Sequence, residues 1–183
     1  TKDAVAKIKA EAKKEQSNYD AIICTAGGFN GVKINDENFF AAYDQMMRMN
    51  VDPTLLCAHL ATTLLKEKGA LVLTGAQGVY KTQAPDILSY ALAKNAVHSL
   101  AQNLSTSKAL PQGASVITIL PKTLDTPANR EWMPEKDWKD MQRTEDVAEL
   151  IYMWLNGTNR PANGSFVEFD KQKDGSLTFK THS

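Results

Sequence analysis

A tyrosine and a lysine four residues apart, Tyr90 and Lys94, are the residues of this sequence best suited to acid–base chemistry. On a helix, residues at this spacing lie on one face about one turn apart, which places the phenol and the ammonium group on the same side. A nearby cation stabilises phenolate and lowers a pKa that starts near ~10, so the spacing predicts a tyrosine that donates a proton near neutral pH. Surface helices often contain Y-x-x-x-K by chance, so the meaning of the pair depends on the elements around it.

The pattern around this pair alternates helices and buried strands in the order α-β-α-β-α-β-α-β-β. The predicted strands are 20–25, 69–74, 114–120, 164–169 and 177–180, and the predicted helices are 1–16, 36–66, 86–108 and one that begins at 144. A break is predicted in the second helix near Asn50 to Pro53, and 173–175 predicts the turn of a C-terminal β-hairpin. The alternation predicts a three-layer αβα fold with a mostly parallel sheet, in one domain over 1–183.

Composition excludes several classes of partner. The 183 residues carry 21 Lys and Arg against 21 Asp and Glu, and this zero net charge argues against nucleic acid and anionic membranes. No apolar stretch reaches the ~20 residues of a membrane span. Cys24 and Cys57 lie among apolar residues and predict reduced thiols in a cytoplasmic protein. Neither the cysteines nor the histidines have metal-ligand spacing, so no metal site is expected.

Four segments resemble motifs of the short-chain dehydrogenase/reductase family and follow that family's order. They are C-T-A-G at 24–27, Asn50, the Tyr90–Lys94 pair and P-K-T-L-D-T-P at 121–127. The resemblance implies a Rossmann-type fold that binds a nicotinamide cofactor. Such folds usually open with a G-x-G-x-x-G turn that binds the pyrophosphate, and this sequence has no such spacing. We therefore expect a fold without its first βαβ unit, from the C-terminal portion of a longer enzyme.

A departure from the family pattern narrows the expected reaction. Members usually have a catalytic serine where this sequence has Ala76, and its loss resembles the branch of the family that reduces quinonoid dihydropteridine. A quinonoid ring is electron-poor and needs less polarisation than a ketone. The resemblance implies reduction of this substrate to tetrahydropteridine with NADH, or with NADPH, in tetrahydrobiopterin recycling. Reduction of another carbonyl or quinone, and an inactive fragment or isoform, stay open as alternatives.

The resemblance also implies roles for single residues. Tyr90 supplies a proton, Lys94 tunes Tyr90 and bonds the nicotinamide ribose, and Asn50 holds a water in the proton path; these three are the predicted catalytic residues. Glycines after a strand allow close approach of the backbone to the cofactor. The predicted cofactor-binding residues are Ala26, Gly27, Gly28, Lys94, Leu124 and Thr126, and the predicted substrate-binding residues are Phe29 and Tyr90.

Several of these residues have a structural alternative. Asn50 could simply break a helix before Pro53, and Thr126 could cap a helix. An aromatic residue such as Phe29 could be part of the core. The residues whose role stays open between a substrate lid and a hydrophobic anchor are Trp132, Met133 and Trp138.

The resemblance finally implies a homodimer, in which the helices at 50–66 and 86–108 pack against their copies in a partner subunit. Such a contact requires a second apolar face on each helix. The residues expected to supply the core face and this second face are Leu56, Leu60, Leu64, Ala93, Val97 and Leu104.

Overall fold

The computed structural model describes residues 2–14, 18–131, 133–172 and 174–182. Trp132 and Lys173, on which predictions were made, lie outside these ranges, as do the two ends of the predicted first helix. The strands are β1 Tyr19–Cys24, β2 Leu65–Thr74, β3 Ser115–Leu120, β4 Leu124–Asp125, β5 Gln142–Arg143, β6 Phe166–Lys171 and β7 Leu177–His182. The helices are α1 Lys2–Lys14, α2 Phe39–Met46, α3 Asp52–Leu64, α4 Leu88–Ser105, α5 Pro127–Arg130 and α6 Thr144–Leu155.

Five strands form one sheet in the order β1-β2-β3-β6-β7, and β4 pairs with β5 in a separate two-stranded sheet. Strands β1, β2, β3 and β6 run parallel, whereas β7 runs antiparallel to β6. The predicted Rossmann-type arrangement, with a mostly parallel sheet and a C-terminal β-hairpin, is confirmed. None of the helices in the described ranges combines the length and apolar character needed to cross a membrane.

Helices cover both faces of the sheet because successive side chains of the central strands point in opposite directions. In β2, Leu71 and Leu73 pack with α3 and α4, while Val72 packs on the other face with α6. These positions are almost fully buried. A parallel strand buried on both sides reads as a continuous apolar run, which is why the sequence signal was clear.

The apolar residues expected to supply the core face and the second face of these helices pack within the chain. Leu56, Leu60 and Leu64 lie against α1, Ala93 and Val97 are buried, and Leu104 packs on the core. Helix α1 thus covers the side of α3 that carries Leu56, Leu60 and Leu64. The exposed leucines of α3 and α4 are Leu55 and Leu92.

The junction of α3 and β2 differs from the sequence prediction. Strand β2 begins at Leu65, four residues earlier than predicted, so α3 ends at Leu64. Lys68 adopts a positive φ of 59° within this segment, and the β1–β2 register shifts nearby. The guanidinium of Arg160 donates hydrogen bonds to the carbonyl oxygens of Lys68 and Gly69 at 2.9 and 2.7 Å, which fixes the irregular start of the strand.

The predicted break near Asn50 to Pro53 is wrong, because the chain stays helical from α2 into α3. A π-helical turn at Met47–Val51 joins the two helices. A proline within a helix lacks an N–H and its ring collides with the carbonyl four residues back. The wider turn just before Pro53 accommodates that ring and adds a residue that rotates Asn50 into the protein.

Candidate active site

A cavity of about 460 Å³ opens where β1, β2 and β3 end. In open α/β sheets, ligands bind in the crevice outside the carboxyl ends of the parallel strands. Of the predicted site residues, Ala26 and Asn50 do not line the cavity. Those that do line it are Gly27, Gly28, Phe29, Tyr90, Lys94, Leu124 and Thr126.

Lys94 lies almost fully buried on α4, one turn after Tyr90, as the spacing predicted. Its ammonium donates a hydrogen bond to the carbonyl oxygen of Thr74 at 2.9 Å and lies 5.8 Å from the centroid of the Tyr90 ring. Burial lowers the pKa of Lys94 to about 8, although the charge of the nearby Cys24 opposes this shift. Lys94 therefore loses its proton near pH 8.

The expectation that Lys94 lowers the pKa of Tyr90 is wrong. Burial raises the pKa of Tyr90 to about 12, because moving a phenolate out of water is costly. At neutral pH Tyr90 is a protonated phenol. It therefore carries a proton that it could donate, and the Lys94 ammonium lies 5.8 Å from the centroid of its ring.

Asn50 is completely buried and fixes the backbone of the glycine loop. Its Oδ1 accepts a hydrogen bond from the N–H of Gly28 at 3.2 Å, and its Nδ2 donates to the carbonyl oxygens of Gly28 and Met46 at 3.1 and 3.0 Å. The Asn50 carbonyl accepts a hydrogen bond from Thr54 Oγ1 at 2.6 Å. These bonds identify Asn50 as a residue that positions the loop.

Side chains at the two glycines would meet Asn50, Lys94 and Met49. A Cβ atom at Gly27 would lie 2.9 Å from Asn50 Oδ1 and 3.4 Å from Lys94 Nζ, and one at Gly28 would overlap the end of the Met49 side chain. Close approach therefore favours glycine at Gly27, where Asn50 is buried and hydrogen-bonded, whereas the flexible end of Met49 could move aside at Gly28. Met49 also lines the cavity, and sequence analysis missed it because only the π-helical turn directs it there.

Thr126 and Leu124 form the opposite wall of the cavity. Thr126 Oγ1 accepts a hydrogen bond from the N–H of Asn129 at 3.2 Å and so caps α5. Its own hydroxyl proton stays available for a ligand. The Leu124 carbonyl accepts from Asn129 Nδ2 at 2.8 Å. Asn129, which also lines the cavity, was missed, although its position three residues after a predicted cap is a signal that could have found it.

Phe29 belongs to the cavity rather than to the core. Its side chain is 41% exposed, and its ring contacts Tyr90 edge-on with centroids 5.1 Å apart. Met133 lines the same cavity. Trp138 donates from Nε1 to the Met133 carbonyl at 3.2 Å and stacks on Arg130, which makes it an anchor for this segment.

The segment after β2 brings a backbone group, and no side-chain hydroxyl, to the position of the family serine. Ala76 is buried and its N–H donates to His98 Nε2 at 3.2 Å. Burial, with a further contribution from the charge of Lys94, lowers the pKa of His98 to about 4. His98 is thus neutral and acts as an acceptor. No group of three or more potential metal ligands occurs in the part of the chain described.

Comparison with known proteins finds similar chains. A family model described as Enoyl-(Acyl carrier protein) reductase matches residues 1–164. A dihydropteridine reductase of Dictyostelium discoideum is 33% identical over 171 residues, which cover 92% of this chain and 72% of that protein.

Solved structures of short-chain dehydrogenases have the same fold. One from Burkholderia cenocepacia, in complex with NADP, has a TM-score of 0.74 at 22% identity and is matched over 91% of this chain and 68% of that chain. An oxidoreductase from E. coli has a TM-score of 0.76 at 22% identity, over 92% of this chain and 68% of that chain. At these identities the similarity establishes the fold.

Proposed function

The chain belongs to the short-chain dehydrogenase/reductase family, and from this membership we propose that it reduces quinonoid dihydropteridine to tetrahydropteridine with NADH. Membership of the family supports an NAD(P)H-dependent oxidoreductase. The substrate rests on the similarity to a dihydropteridine reductase and on one structural observation. A tyrosine and a lysine face one cavity beside an exposed aromatic ring, and the position of the family serine provides no hydroxyl.

The residues around the cavity fit a nicotinamide cofactor. Gly27 and Gly28 line the cavity without side chains, which lets such a ligand approach the backbone, and Lys94 lines the same cavity. Lys94 would bond the ribose hydroxyls, and the Thr126 hydroxyl and Leu124 backbone would bond the carboxamide. When bound, the reduced cofactor supplies a hydride. The Thr126 oxygen acts as an acceptor when it caps α5. Its hydroxyl proton can therefore be donated to the carboxamide.

Tyr90 provides the proton in the proposed reaction. Its raised pKa of about 12 keeps it protonated until a basic substrate nitrogen accepts the proton. Lys94 stabilises the resulting phenolate, and Asn50 maintains the loop that shapes the site. The water proposed to extend the proton path would bond at this loop.

Phe29 and Met49 form the mouth of the cavity and favour a flat, conjugated substrate. An exposed aromatic ring at a binding site gains energy by stacking on another ring. Without a serine hydroxyl, a ketone lacks the second hydrogen-bond donor that polarises it, whereas a quinonoid ring accepts hydride without one.

An NADH-oxidation assay tests the proposal. We expect rapid turnover with quinonoid dihydropterin and little with a simple ketone or an enoyl thioester, and a lower KM for NADH than for NADPH. Tyr90→Phe should lower kcat by about 100-fold, and the matched control, Tyr152→Phe on the exposed side of α6, should not change it. Equal turnover with ketones, or an unchanged kcat in Tyr90→Phe, contradicts the proposal.

We further propose that the protein is a cytoplasmic homodimer joined through α3 and α4. The exposed Leu55 and Leu92 provide apolar contacts for such an interface. Light scattering at micromolar concentration should give twice the chain mass, and Leu55→Asp with Leu92→Asp should give the monomer. Met153→Asp, on exposed α6, is the control. A monomeric native protein contradicts the dimer, and cell fractionation tests the compartment.

A further inference from the structure

The two cysteines, far apart in sequence, meet beside the candidate site. Cys24 ends β1, and its sulfur lies 3.8 Å from the hydroxyl oxygen of Thr54 on α3. Cys57 follows Thr54 by three residues and therefore lies on the same side of α3. Cys57 packs on the hydrophobic cluster that contains Cys24.

We propose that Cys24 and Cys57 form a redox-active dithiol, a modification site at which a peroxide converts the two thiols into a disulfide bond. Both cysteines are free thiols in the structure. Both side chains pack in one cluster between β1 and α3, which meets the main geometric requirement of a disulfide bond, that the two cysteines lie close together.

The chemistry needs a peroxide as the oxidant. The Cys24 thiolate attacks a peroxide oxygen and the O–O bond breaks. Hydroxide is the leaving group, and Cys24 becomes a sulfenic acid. The Cys57 sulfur then attacks the Cys24 sulfur, the S–S bond forms, and the sulfenic oxygen leaves as water with the thiol proton. Overall, one peroxide and two thiols give one disulfide and two waters when the peroxide is hydrogen peroxide.

The surroundings of the pair assign different roles to its two sulfurs. The hydrogen bond from Cys57 lowers the pKa of Cys24 to about 6 despite burial, with help from the Thr54 hydroxyl, the Ala26 N–H and the charge of Lys94. The same hydrogen bond and burial raise the pKa of Cys57. Cys24 is thus the nucleophile, because the thiolate is the reactive form, and Cys57 resolves the intermediate.

A small oxidant can reach the pair from the side of Cys57, which is only partly buried. Leu55, part of the proposed subunit contact, lies about 200° around the helix from Cys57, so that contact leaves this side open. The Cys24 thiolate also raises the pKa of Lys94. Oxidation removes this negative charge and so lowers the pKa of Lys94. The effect on turnover rests on the proposed function, whereas the thiol chemistry does not.

Intact-mass spectrometry of the full chain treated with hydrogen peroxide tests the dithiol without any assay of turnover. We expect loss of two hydrogen atoms, a Cys24–Cys57 cross-linked peptide, and full reversal by dithiothreitol. Alkylation of Cys24 by iodoacetamide should have its midpoint near pH 6. Two unmodified thiols, sulfinic acid without a cross-link, or a bond between two chains would each overturn the proposal.

Variants separate the two sulfurs. Cys57→Ser should stop at a sulfenic acid that dimedone traps, and Cys24→Ser should leave Cys57 unmodified at the same peroxide concentration. Circular dichroism checks that each variant is folded, and the peptide map of the native chain decides the matter if one is not. In the oxidised chain the upper pH midpoint of NADH turnover should fall; an unchanged midpoint refutes the link to Lys94.

Discussion

Replacing Lys94 by methionine should stabilise the fold while removing activity. Lys94 is 3% exposed, and burial lowers its pKa from 10.5 to about 8. At about 1.4 kcal/mol for each unit, this shift means that the buried ammonium costs about 3 kcal/mol at neutral pH. Methionine has a similar length and no charge, so it removes this cost and keeps the apolar contacts.

The hydrogen bond that Lys94→Met removes reduces this gain in stability. Lys94 donates to the Thr74 carbonyl at 2.9 Å, and an acceptor left without its partner costs about 1–2 kcal/mol, toward the low end where water can enter a cavity. We therefore expect Lys94→Met to raise the free energy of unfolding by about 1–2 kcal/mol, which for a chain of this size is a rise of about 2–8 °C in Tm. NADH oxidation should fall by at least about 100-fold.

The pH dependence of this stability gain shows whether the charge of Lys94 causes it. Because the pKa of Lys94 is lower in the folded chain than in the unfolded chain, the unfolded chain binds more protons between pH 8 and 10.5. The native protein therefore gains stability from Lys94 as pH rises through this range. The advantage of Lys94→Met should be greatest below pH 8 and shrink toward pH 10.5.

Urea unfolding of the native chain and of Lys94→Met measures the difference in their free energies of unfolding. It is done at pH 7 and at about pH 9.5, where the folded and unfolded states differ in bound protons. Lys122→Met, a substitution of an exposed lysine at the same cavity, is the control and should show no such trend. A Lys94→Met variant that is less stable at pH 7, or an advantage that does not change with pH, would refute the reasoning.

Three further outcomes are expected. Asn50→Leu should lower the free energy of unfolding by about 2–3 kcal/mol, because both backbone groups of Gly28 lose a partner, and fluorescence titration should show weaker NADH binding. Arg160→Ala should lower the free energy of unfolding by about 1–3 kcal/mol, because it removes hydrogen bonds to Lys68, Gly69 and Ser115. The Kd for NADH should not change. In the native protein, kcat/KM should fall as pH rises through about 8, where Lys94 loses its proton; a constant kcat/KM across that range contradicts the role of its charge.

Sequence patterns predicted what depends on local spacing or on strand order. Helical geometry alone places Tyr90 and Lys94 on one face. Parallel strands end at a common edge, so residues after separate strands, such as Gly27 and Thr126, meet in one cavity. No contact energies are needed for either inference.

The sequence could not predict what depends on burial by distant segments. Pro53 indicated a broken helix, but packing kept the chain helical through a π turn. The pKa of Tyr90 rises because of burial, a sum over many neighbours that spacing does not contain. The meeting of Cys24 and Cys57 depends on how α3 lies on β1, which only the folded structure determines.

The opposite pKa shifts of Tyr90 and Lys94 have one origin. Burial disfavours the charged form of each, so it raises the pKa of the phenol and lowers that of the ammonium. Without proton transfer the pair carries one charge that the fold stabilises poorly. In the proposed reaction Tyr90 donates its proton, and the phenolate and the ammonium would then neutralise one another. Because attraction between opposite charges is stronger in a buried site than in water, the burial that destabilises the resting pair favours the state that follows proton donation.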